Sequence, residues 1–395
     1  MHSSMYTILI HYSEIALKKN NRSFFENIFI KNIKIHLKDL RYSSITLVAA
    51  RVFINGIDNN LLNDYKERLK NVMGLKNATI MLKTKSNLND IKEAALLLIK
   101  NKNFNNFRIS TKRHDKQLNF DSQDANSIIG DCIRKASKKP VNLDNPDCNI
   151  IIELLKNKSF VGIDKLLGYS GLPANCQEKA ISLISSGIDS PVASFEMIKR
   201  GVDVSYVHFH SYPAVNQQSI ENVKKILNVL SQYQLNSTLY LVPLLEIQQH
   251  IMQTIPDKYW VIFFRRYMIK IACDLAKKMN AVVLITGDSV GQVASQTLSN
   301  IRAISEVSNI PIIRPLSGYN KEDIVNKAKD IGTYDISIEP YEDCCSFFVP
   351  PHPETKAKME QIDRLDSNLN LTDLVNKAIT DTEKINMNYG DSLCD

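Results

Sequence analysis

Residues 179–191 read KAISLISSGIDSP, a stretch that predicts a buried strand, a tight turn and the start of a helix. The strand contains the apolar residues Ile181, Leu183 and Ile184, the turn follows at 185–187, and the helix begins near Pro191. Such a turn leaves backbone N–H groups at the positive end of the helix dipole, where an anion binds favourably. Serine hydroxyls add donors, and Gly187 lets the backbone approach a ligand closely. The stretch therefore predicts a loop that binds pyrophosphate.

The same residues resemble a known motif. SSGIDSPVA is similar to the PP-loop, S-G-G-x-D-S, of enzymes that split ATP between its α and β phosphates and adenylate a substrate. The extension at 191–193 resembles the tRNA 4-thiouridine synthetase (ThiI) family, although Ser186 stands where the usual motif has glycine. The spacing and the lysine of a Walker A loop are missing. Taken alone, the stretch fits a serine-rich loop that caps an ordinary helix equally well.

Length and composition indicate a globular protein of two or three domains. The chain has 395 residues, 44% of them hydrophobic and 23% charged. No apolar run approaches about twenty residues and no basic-then-apolar leader is present, so we expect neither a membrane span nor a secretory signal. Seven scattered cysteines, an odd number, favour free thiols in a reducing compartment. We therefore expect a cytoplasmic protein.

The charge is distributed unevenly along the chain. Residues 1–175 carry 28 Lys/Arg against 16 Asp/Glu, whereas residues 176–395 carry 21 against 26. A basic first half joined to a mildly acidic second half is typical of a protein that binds a polyanion with one part and performs chemistry with the other. The alternative is that the basic surplus only keeps a lysine-rich chain in solution.

The N-terminal region predicts a small ferredoxin-like α/β unit. Strands are expected at 5–10, 45–54 and 78–82, with helices at 23–40 and 61–72 between them. After the first strand, residues 11–22 resemble the Y-x-E-I-x-L-K-G-x-N-R stretch that opens the same family. Glu14, Lys18 and Arg22 match it, and Lys19 replaces its glycine.

Residues 60–165 resemble a THUMP domain, an RNA-binding module of tRNA-modifying enzymes. The distinctive part is VNLDNPD at 141–147, which precedes the strand 148–155. Further elements are expected at 89–100, 106–111, 122–135 and 159–163. The resemblance implies that basic loops contact the phosphates of a folded tRNA by shape, and the candidate contacts are Lys112, Arg113, Lys116, Lys138 and Lys139.

The rest of the chain alternates strand and helix, which predicts a doubly wound parallel sheet. The expected strands are 181–185, 203–209, 238–242, 281–286 and one near 312, and the expected helices are 191–200, 216–231, 244–253, 258–279 and 320–330. A ligand site then lies beyond the carboxyl ends of the strands. From about 356 to 395 we expect helix with a loose end. The predicted organisation is an α/β chain with a ferredoxin-like part at 1–59, the THUMP region at 60–165, a linker at 166–178 and the PP-loop domain at 179–395.

A second motif lies at residues 285–297, ITGDSVGQVASQT. Its uncharged hydrogen-bonding residues Gln292, Ser295 and Gln296 would share one face of a helix. The stretch closely resembles G-[DE]-S-x-G-Q-V-A-S-Q-T of the thiouridine synthetases. The resemblance implies an ATP site made of Leu183, Ile184, Ser185, Gly187, Ser190, His208, Phe209, Arg265, Gly287 and Gln296. His208 and His210 lack a nearby cysteine or carboxylate partner in the sequence, so we predict no metal site there.

Two further residue types carry the predicted chemistry. Asp189 is the carboxylate of the loop and would act on Mg²⁺ or on the nucleophile, with a helix cap as the structural alternative. A thiol on a loop beside the nucleotide could deliver sulfur as a persulfide, since thiolate sulfur is a strong nucleophile. The resemblance assigns this role to Cys345, with Cys344 as the alternate. The structural alternative for the cysteine pair at 344–345 is a buried pair without a chemical role. Many members of the family continue into a rhodanese domain with a second cysteine, and we expect no such domain in this chain.

The resemblance implies an ATP-dependent tRNA sulfurtransferase that adenylates the uridine at position eight and replaces its oxygen with sulfur. The expected partners are tRNA, a cysteine desulfurase as persulfide donor and a ThiS-like sulfur carrier protein of thiamine synthesis. The sequence leaves the oligomeric state open, a homodimer included. Two alternatives stay open: a PP-loop ATP pyrophosphatase that acts on a small molecule, and a tRNA-binding protein without catalysis.

Overall fold

The structure, a computed structural model, describes residues 6–114, 117–155, 157–340, 348 and 350–390. The chain separates between Pro173 and Ala174 into two compact units. A search of the described helices finds none with the length and apolar character that crossing a membrane requires.

The first unit is built on one eight-stranded sheet. Its strand order is β2-β3-β1-β4-β7-β6-β5, with the short β8 paired to β4. All neighbouring strands are antiparallel except β5 and β6, which are parallel. The strands are β1 (Tyr6–Tyr12), β2 (Ser44–Val48), β3 (Arg51–Asn55), β4 (Leu75–Thr84), β5 (Phe107–Arg113), β6 (Cys148–Leu155), β7 (Lys158–Ile163) and β8 (Leu166–Leu167). The α-helices are α1 (Arg22–His36), α2 (Leu62–Lys70), α3 (Leu88–Ile99) and α4 (Ser122–Ser137).

The two faces of this sheet carry different side chains. On one face, apolar residues of α3 and α4, such as Ile91 and Ile129, pack against alternate residues of the strands. On the other face, a smaller apolar cluster includes Ile151 and Leu155 of β6. Because side chains alternate along a strand, Glu153 shares that second face, where it is buried.

The strand expected at 45–54 was wrong in one respect, because the structure divides it into the hairpin of β2 and β3. The turn consists of Ala49 and Ala50, whose φ angles of 47° and 65° are both positive. Two-residue hairpin turns with positive φ normally use Asn or Gly, and this turn has neither. The sequence therefore contained no turn signal at the point where the chain reverses.

The segment expected to link the domains, 166–178, divides between the two units. Its first residues form β8, which pairs with β4, and the Ser170 carbonyl accepts a hydrogen bond of 2.8 Å from the Gly74 N–H. The ferredoxin-like and THUMP regions contribute strands to one and the same sheet.

The second unit is a doubly wound α/β fold, which confirms the predicted fold class. The strand order is β13-β12-β9-β10-β11-β14, parallel except for β14 at the edge. The strands are β9 (Lys179–Leu183), β10 (Asp203–His210), β11 (Asn236–Pro243), β12 (Val283–Ile285), β13 (Ile312–Ile313) and β14 (Glu383–Asn388). The helices are α5 (Asp189–Lys199), α6 (Gln218–Gln234), α7 (Leu245–Thr254), α8 (Trp260–Met279), α9 (Leu298–Ser305), α10 (Lys321–Ile331), α11 (Tyr334–Ser337), α12 (Met359–Asp366) and α13 (Thr372–Thr380).

The strand order contains a switch point beside β9. From β9 the chain proceeds to β10 on one side, and only later returns to place β12 on the other side. Connections from neighbouring strands then leave in opposite directions and open a crevice at their carboxyl ends. This crevice is where an open α/β sheet binds its ligand.

The expectation of helix and loose end for 356–395 was wrong for residues 383–388. After α12 and α13, residues 383–388 form β14, an antiparallel edge strand on β11, with Leu239 opposite Ile385. The sequence EKINMN is polar because an edge strand needs only one apolar side, and Met387 is its buried residue. A strand this polar gives little signal in the sequence. Cys394 lies outside the described residues.

Candidate active site

A cavity of about 490 Å³ lies at the carboxyl ends of β9, β10 and β12, in the crevice beside the switch point. One wall is apolar and comes from the strand ends and α8, while the other is polar and contains the turns after β9 and β12. The lining residues are Leu183, Ile184, Ser185, Asp189, Ser190, His208, Phe209, Lys258, Val261, Ile262, Arg265, Met268, Thr286, Gly287, Asp288, Val293, Ala294, Ser295, Gln296, Pro353 and Glu354.

The loop between β9 and α5 is held in shape by its own serines. The Ser190 hydroxyl accepts a hydrogen bond of 2.9 Å from the Ser185 N–H and lies 3.2 Å from the Ser185 carbonyl. Below the loop, the buried hydroxyls of Ser182 and Ser194 are 2.8 Å apart and join β9 to α5. The N-terminus of α5 therefore faces the cavity in a fixed position, as a phosphate-binding helix end requires.

Gly287 allows two polar segments of the cavity to touch. A Cβ at this position would lie 2.7 Å from the Ser190 backbone nitrogen and 2.8 Å from its Cα. Real Cβ atoms do not come so close to backbone, so only glycine permits this contact. The turn after β12 is thereby brought directly against the first residues of α5.

Asp189 is the first residue of α5 and lines the cavity. Its carboxylate accepts a hydrogen bond of 2.8 Å from the Gln292 side-chain amide and one of 2.7 Å from the Lys321 ammonium. Lys321 is the first residue of α10, which packs against α5. The carboxylate is therefore oriented by partners from two other segments.

Asp288 is the most buried carboxylate of the cavity, at 3% exposure. It forms ion pairs with Arg265 and with Arg314, the latter at 3.0 Å, and accepts a hydrogen bond of 2.8 Å from the Thr286 hydroxyl. Burial alone would raise the pKa of the Asp288 carboxyl, but the two guanidinium groups and these hydrogen bonds lower it to about 2. Asp288 is consequently ionised at any physiological pH.

His208 lines the cavity as a neutral side chain. It is 2% exposed, and burial lowers the pKa of its imidazole to about 4. The Nδ1 atom lies 3.0 Å from the Ile184 carbonyl oxygen, so Nδ1 carries the proton and donates it. Nε2 is then an acceptor.

Nine of the ten residues predicted to bind ATP line this one cavity, and the tenth, Gly187, lies in the same loop. The expectation of a shared helical face for Gln292, Ser295 and Gln296 was wrong. Residues 290–293 form turns and bends, and Ala294–Gln296 is a single 3₁₀ turn, closed by a hydrogen bond of 2.8 Å from the Gln296 N–H to the Val293 carbonyl. Val293 is in an extended conformation, with φ −138° and ψ 167°, so no helix joins Gln292 to Ser295 and Gln296. Cys344 and Cys345 lie outside the described residues.

Sequence reasoning missed three cations that the fold brings to the cavity. Lys321 pairs with Asp189, Arg314 with Asp288, and Lys258 with Glu354 at 3.4 Å. Only Arg314 had a usable signal, because it follows β13 directly and charged residues at the carboxyl end of a parallel strand commonly reach the ligand. Nothing near Lys258 or Lys321 distinguishes them from surface lysines.

The first unit has a cluster of four cations, Lys76, Arg108, Lys112 and Lys165. Partial burial lowers the pKa of the Lys165 ammonium, and the positive charges of the other three lower it further, against the opposing effect of the Glu153 carboxylate. Asn77 is 8% exposed and follows Lys76 in the chain. In the sheet it lies opposite Leu167 of β8, which is two residues after Lys165. The side-chain Oδ1 of Asn77 is buried without a hydrogen-bond partner within the described part of the chain.

The cluster contains one of the five residues predicted to contact tRNA. Lys112 belongs to it and also lies 4.0 Å from the buried carboxylate of Glu153. Arg113 donates instead to the Leu118 carbonyl at 2.9 Å. Lys138 and Lys139 follow the end of α4, and Lys116 lies outside the described residues.

Comparison with known proteins agrees with this architecture. Three family models match: "ThiI ferredoxin-like domain" at 7–79, "THUMP domain" at 85–164 and "Thiamine biosynthesis protein (ThiI)" at 175–371. A relative named "Probable tRNA sulfurtransferase" from Thermoanaerobacter sp. (strain X514) is 40% identical, across 90% of this chain and 93% of its own. The chain belongs to the ThiI family. A relative of the same name from Bacillus pumilus (strain SAFR-032) is 37% identical over 96% of this chain and 95% of its own.

Solved structures resemble this ThiI family member over most of its length. A crystal structure of a 4-thiouridine synthetase–RNA complex with bound ATP has a TM-score of 0.87 and 34% identity, and covers 97% of this chain and 100% of that one. The structure of PH1313 from Pyrococcus horikoshii Ot3 has a TM-score of 0.64, covers 83% of this chain and 100% of that one, and at 22% identity shows a shared fold.

We predict that Gly287→Ala lowers the affinity of this ThiI family member for ATP by about tenfold or more. The added methyl group forces the turn after β12 away from Ser190, and overpacking of this kind costs about 1–3 kcal/mol. Gly318→Ala is the matched control, because a Cβ there meets nothing within 4 Å. Calorimetric titration with ATP measures both, and equal affinities for the two variants would contradict the role given to Gly287.

Proposed function

We propose that the chain is an ATP-dependent tRNA sulfurtransferase that converts a uridine of tRNA to 4-thiouridine. The observation that carries this proposal is the cavity at the switch point, where the SSGIDSP loop and the GDSVGQVASQT turn meet. Family membership and the named relatives agree with it. The uridine at position eight is the proposed target.

The shape of the cavity fits ATP as the substrate. The adenosine lies against the apolar wall, which includes Phe209, Ile262 and Met268, and the phosphates lie at the N-terminus of α5. We assign nucleotide binding to the ten residues expected from the sequence, with Ser185, Gly187 and Ser190 at the phosphates. His208 serves as a neutral group, since an imidazole with a pKa of about 4 adds no charge beside the base.

Adenylation needs positioning and charge stabilisation more than covalent chemistry. The uridine carbonyl oxygen O4 attacks the α-phosphorus, and pyrophosphate leaves. Asp189 faces this end of the cavity, and its hard oxygen atoms match the ligands that Mg²⁺ prefers alongside phosphate oxygens. A magnesium ion held by Asp189 would neutralise phosphate charge. Lys321 and Gln292 fix the orientation of Asp189 and supply positive charge and a donor beside it.

Sulfur then attacks C4 of the adenylated uridine, and AMP leaves with the former carbonyl oxygen. We assign the delivery of this sulfur to a persulfide on Cys345, with Cys344 as the alternate. Once the outer sulfur is bonded to C4, a second thiol attacks the cysteine sulfur, the S–S bond breaks with its electrons passing to the uridine sulfur, and the cysteine is left in a disulfide that an external thiol reduces. The proposal includes a cysteine desulfurase as persulfide donor, a ThiS-like carrier as a second acceptor and a homodimer as the working assembly. The cytoplasm is the proposed compartment, where thiols such as the free Cys148 and Cys273 stay reduced.

The first unit supplies the proposed tRNA contacts. The cluster of Lys76, Arg108, Lys112 and Lys165 gathers positive charge at one place, which suits a phosphate backbone. The unpartnered Oδ1 of Asn77 is an acceptor, and RNA offers 2′-hydroxyl donors next to its phosphates. We add Lys165, Arg108 and Lys76 to the candidates Lys112, Arg113, Lys116, Lys138 and Lys139.

We predict that the purified chain, given ATP, Mg²⁺, unmodified tRNA and sulfide, forms 4-thiouridine and releases AMP and pyrophosphate. Asp189→Asn keeps the shape of the side chain but removes its charge, so product formation falls by about a hundredfold or more. The affinity for tRNA stays unchanged, because Asp189 belongs to the other unit.

The matched control for this assay is Asp330→Asn, an exposed carboxylate of α10 that pairs with Lys327. It should leave the rate unchanged. Release of ADP and phosphate would contradict adenylation, and an Asp189→Asn chain with full activity would contradict the assigned site. Because the assay supplies free sulfide, its result does not depend on sulfur delivery by a persulfide on Cys345 or Cys344.

We predict that Lys165→Ala weakens tRNA binding and reduces the slope of log affinity against log salt by about 1, because one phosphate contact is lost. Lys100→Ala removes the same charge from an exposed position at the end of α3 and serves as the control. Filter binding or fluorescence anisotropy at several salt concentrations measures both. Equal slopes for the two variants would remove the cluster from the proposed interface.

A further inference from the structure

The side-chain amide of Gln296 presents two different atoms to its surroundings. Its Nε2 atom lies 3.5 Å from Oδ1 of Asp288. Its Oε1 atom is buried and has no hydrogen-bond partner among residues 6–114, 117–155, 157–340, 348 and 350–390. Gln296 lines the cavity at 9% exposure, so the acceptor belongs to a side chain of the cavity wall.

The charge of Asp288 decides which amide atom faces it. An ionised carboxylate can only accept hydrogen bonds, and it repels an amide oxygen while attracting an amide N–H. Asp288 stays ionised because two guanidinium groups lower its pKa to about 2. Nε2 of Gln296 therefore points to Asp288, and Oε1 points away from it.

The carboxylate of Asp288 is itself held from several directions. Arg265 of α8 pairs with Oδ1, while Arg314 after β13 and the hydroxyl of Thr286 reach Oδ2. Arg265 also donates a hydrogen bond of 3.2 Å to the Ser295 hydroxyl, next to Gln296 in the chain. Because both oxygen atoms of the Asp288 carboxylate have partners, the orientation of the carboxylate is fixed. The carboxylate therefore holds the side-chain amide of Gln296 in one orientation.

We propose that Asp288 is a positioning residue that orients Gln296 so that its Oε1 atom accepts a hydrogen bond from the nucleoside part of ATP. The inference rests on the proposed function, in which the cavity binds ATP. A buried acceptor without a partner costs free energy, and a donor brought by the ligand removes that cost. The nucleoside has three such donors: the 2′-hydroxyl, the 3′-hydroxyl and the 6-amino group.

Binding measurements with four nucleotides test the proposal. The wild-type chain is titrated with ATP, 2′-deoxy-ATP, 3′-deoxy-ATP and purine riboside triphosphate, which lacks the 6-amino group. One analogue is expected to bind about tenfold more weakly than ATP, as the loss of one buried hydrogen bond requires. The analogue that loses affinity identifies the donor.

Two variants then locate the cause. Gln296→Leu removes the acceptor and leaves the ion pairs of Asp288 with Arg265 and Arg314 in place, so ATP and the weak analogue should bind equally. Asp288→Asn offers both a donor and an acceptor to Gln296, so the amide loses its single orientation and discrimination again falls. The double variant should show no further loss of discrimination. Affinity for tRNA and the thermal unfolding temperature control for the fold.

Three results would overturn the inference. Equal binding of all four nucleotides by the wild-type chain would show that the protein recognises none of the three hydrogen-bond donors of the nucleoside. A Gln296→Leu chain that still discriminates would exclude this acceptor, whether or not Asp288→Asn folds. A folded Asp288→Asn chain with undiminished discrimination would exclude the positioning role. Failure of the wild-type chain to bind any of the four would instead contradict the proposed function, and the inference with it.

Discussion

The backbone contact between Gly287 and Ser190 sets the geometry of the nucleotide cavity. Two chain segments more than ninety residues apart meet there without a side chain between them. One is the start of α5, with its dipole and serine hydroxyls, and the other leads into Asp288. In the proposed function one turn binds the phosphates and the other contacts the nucleoside, and both can bind the same ligand only if they lie this close. The proposed binding of one nucleotide by both turns therefore depends on the absence of a Cβ at position 287.

Fixed charge is the second constraint on the cavity. Each of the three carboxylates that line it in the described part of the chain has a cationic partner: Asp189 pairs with Lys321, Asp288 with two arginines, and Glu354 with Lys258. Most of these cations come from segments other than that of the carboxylate, so the tertiary fold orients the charges before a ligand arrives. Preorganised charge of this kind stabilises a transition state without reorganisation at the moment of reaction. It also explains why burial does not keep Asp288 protonated.

Much of the fold and the centre of the site could be predicted from sequence, because both rest on local patterns. Strand and helix periodicity located β9–β13, α5–α8 and α10 to within a few residues but missed α9, and the two motifs contain twelve of the twenty-one described residues that line the cavity. The failures were contacts that only the tertiary fold creates. The Ala49–Ala50 turn lacks the residues typical of turns, and β14 is too polar to resemble a strand. Lys321 and Lys165 look like surface lysines in the sequence, and only the tertiary fold brings Lys321 to Asp189 and Lys165 to the other cations of its cluster.

A crystal structure of the chain with a non-hydrolysable ATP analogue is the most direct test of the central claim, that one nucleotide occupies the crevice between β9 and β12. The account predicts density for the triphosphate on residues 185–190 and for the adenine between the ends of β9 and β10 and helix α8. Density for the analogue at another place would contradict it. So would the absence of density in the crevice when crystal packing leaves the crevice open to solvent.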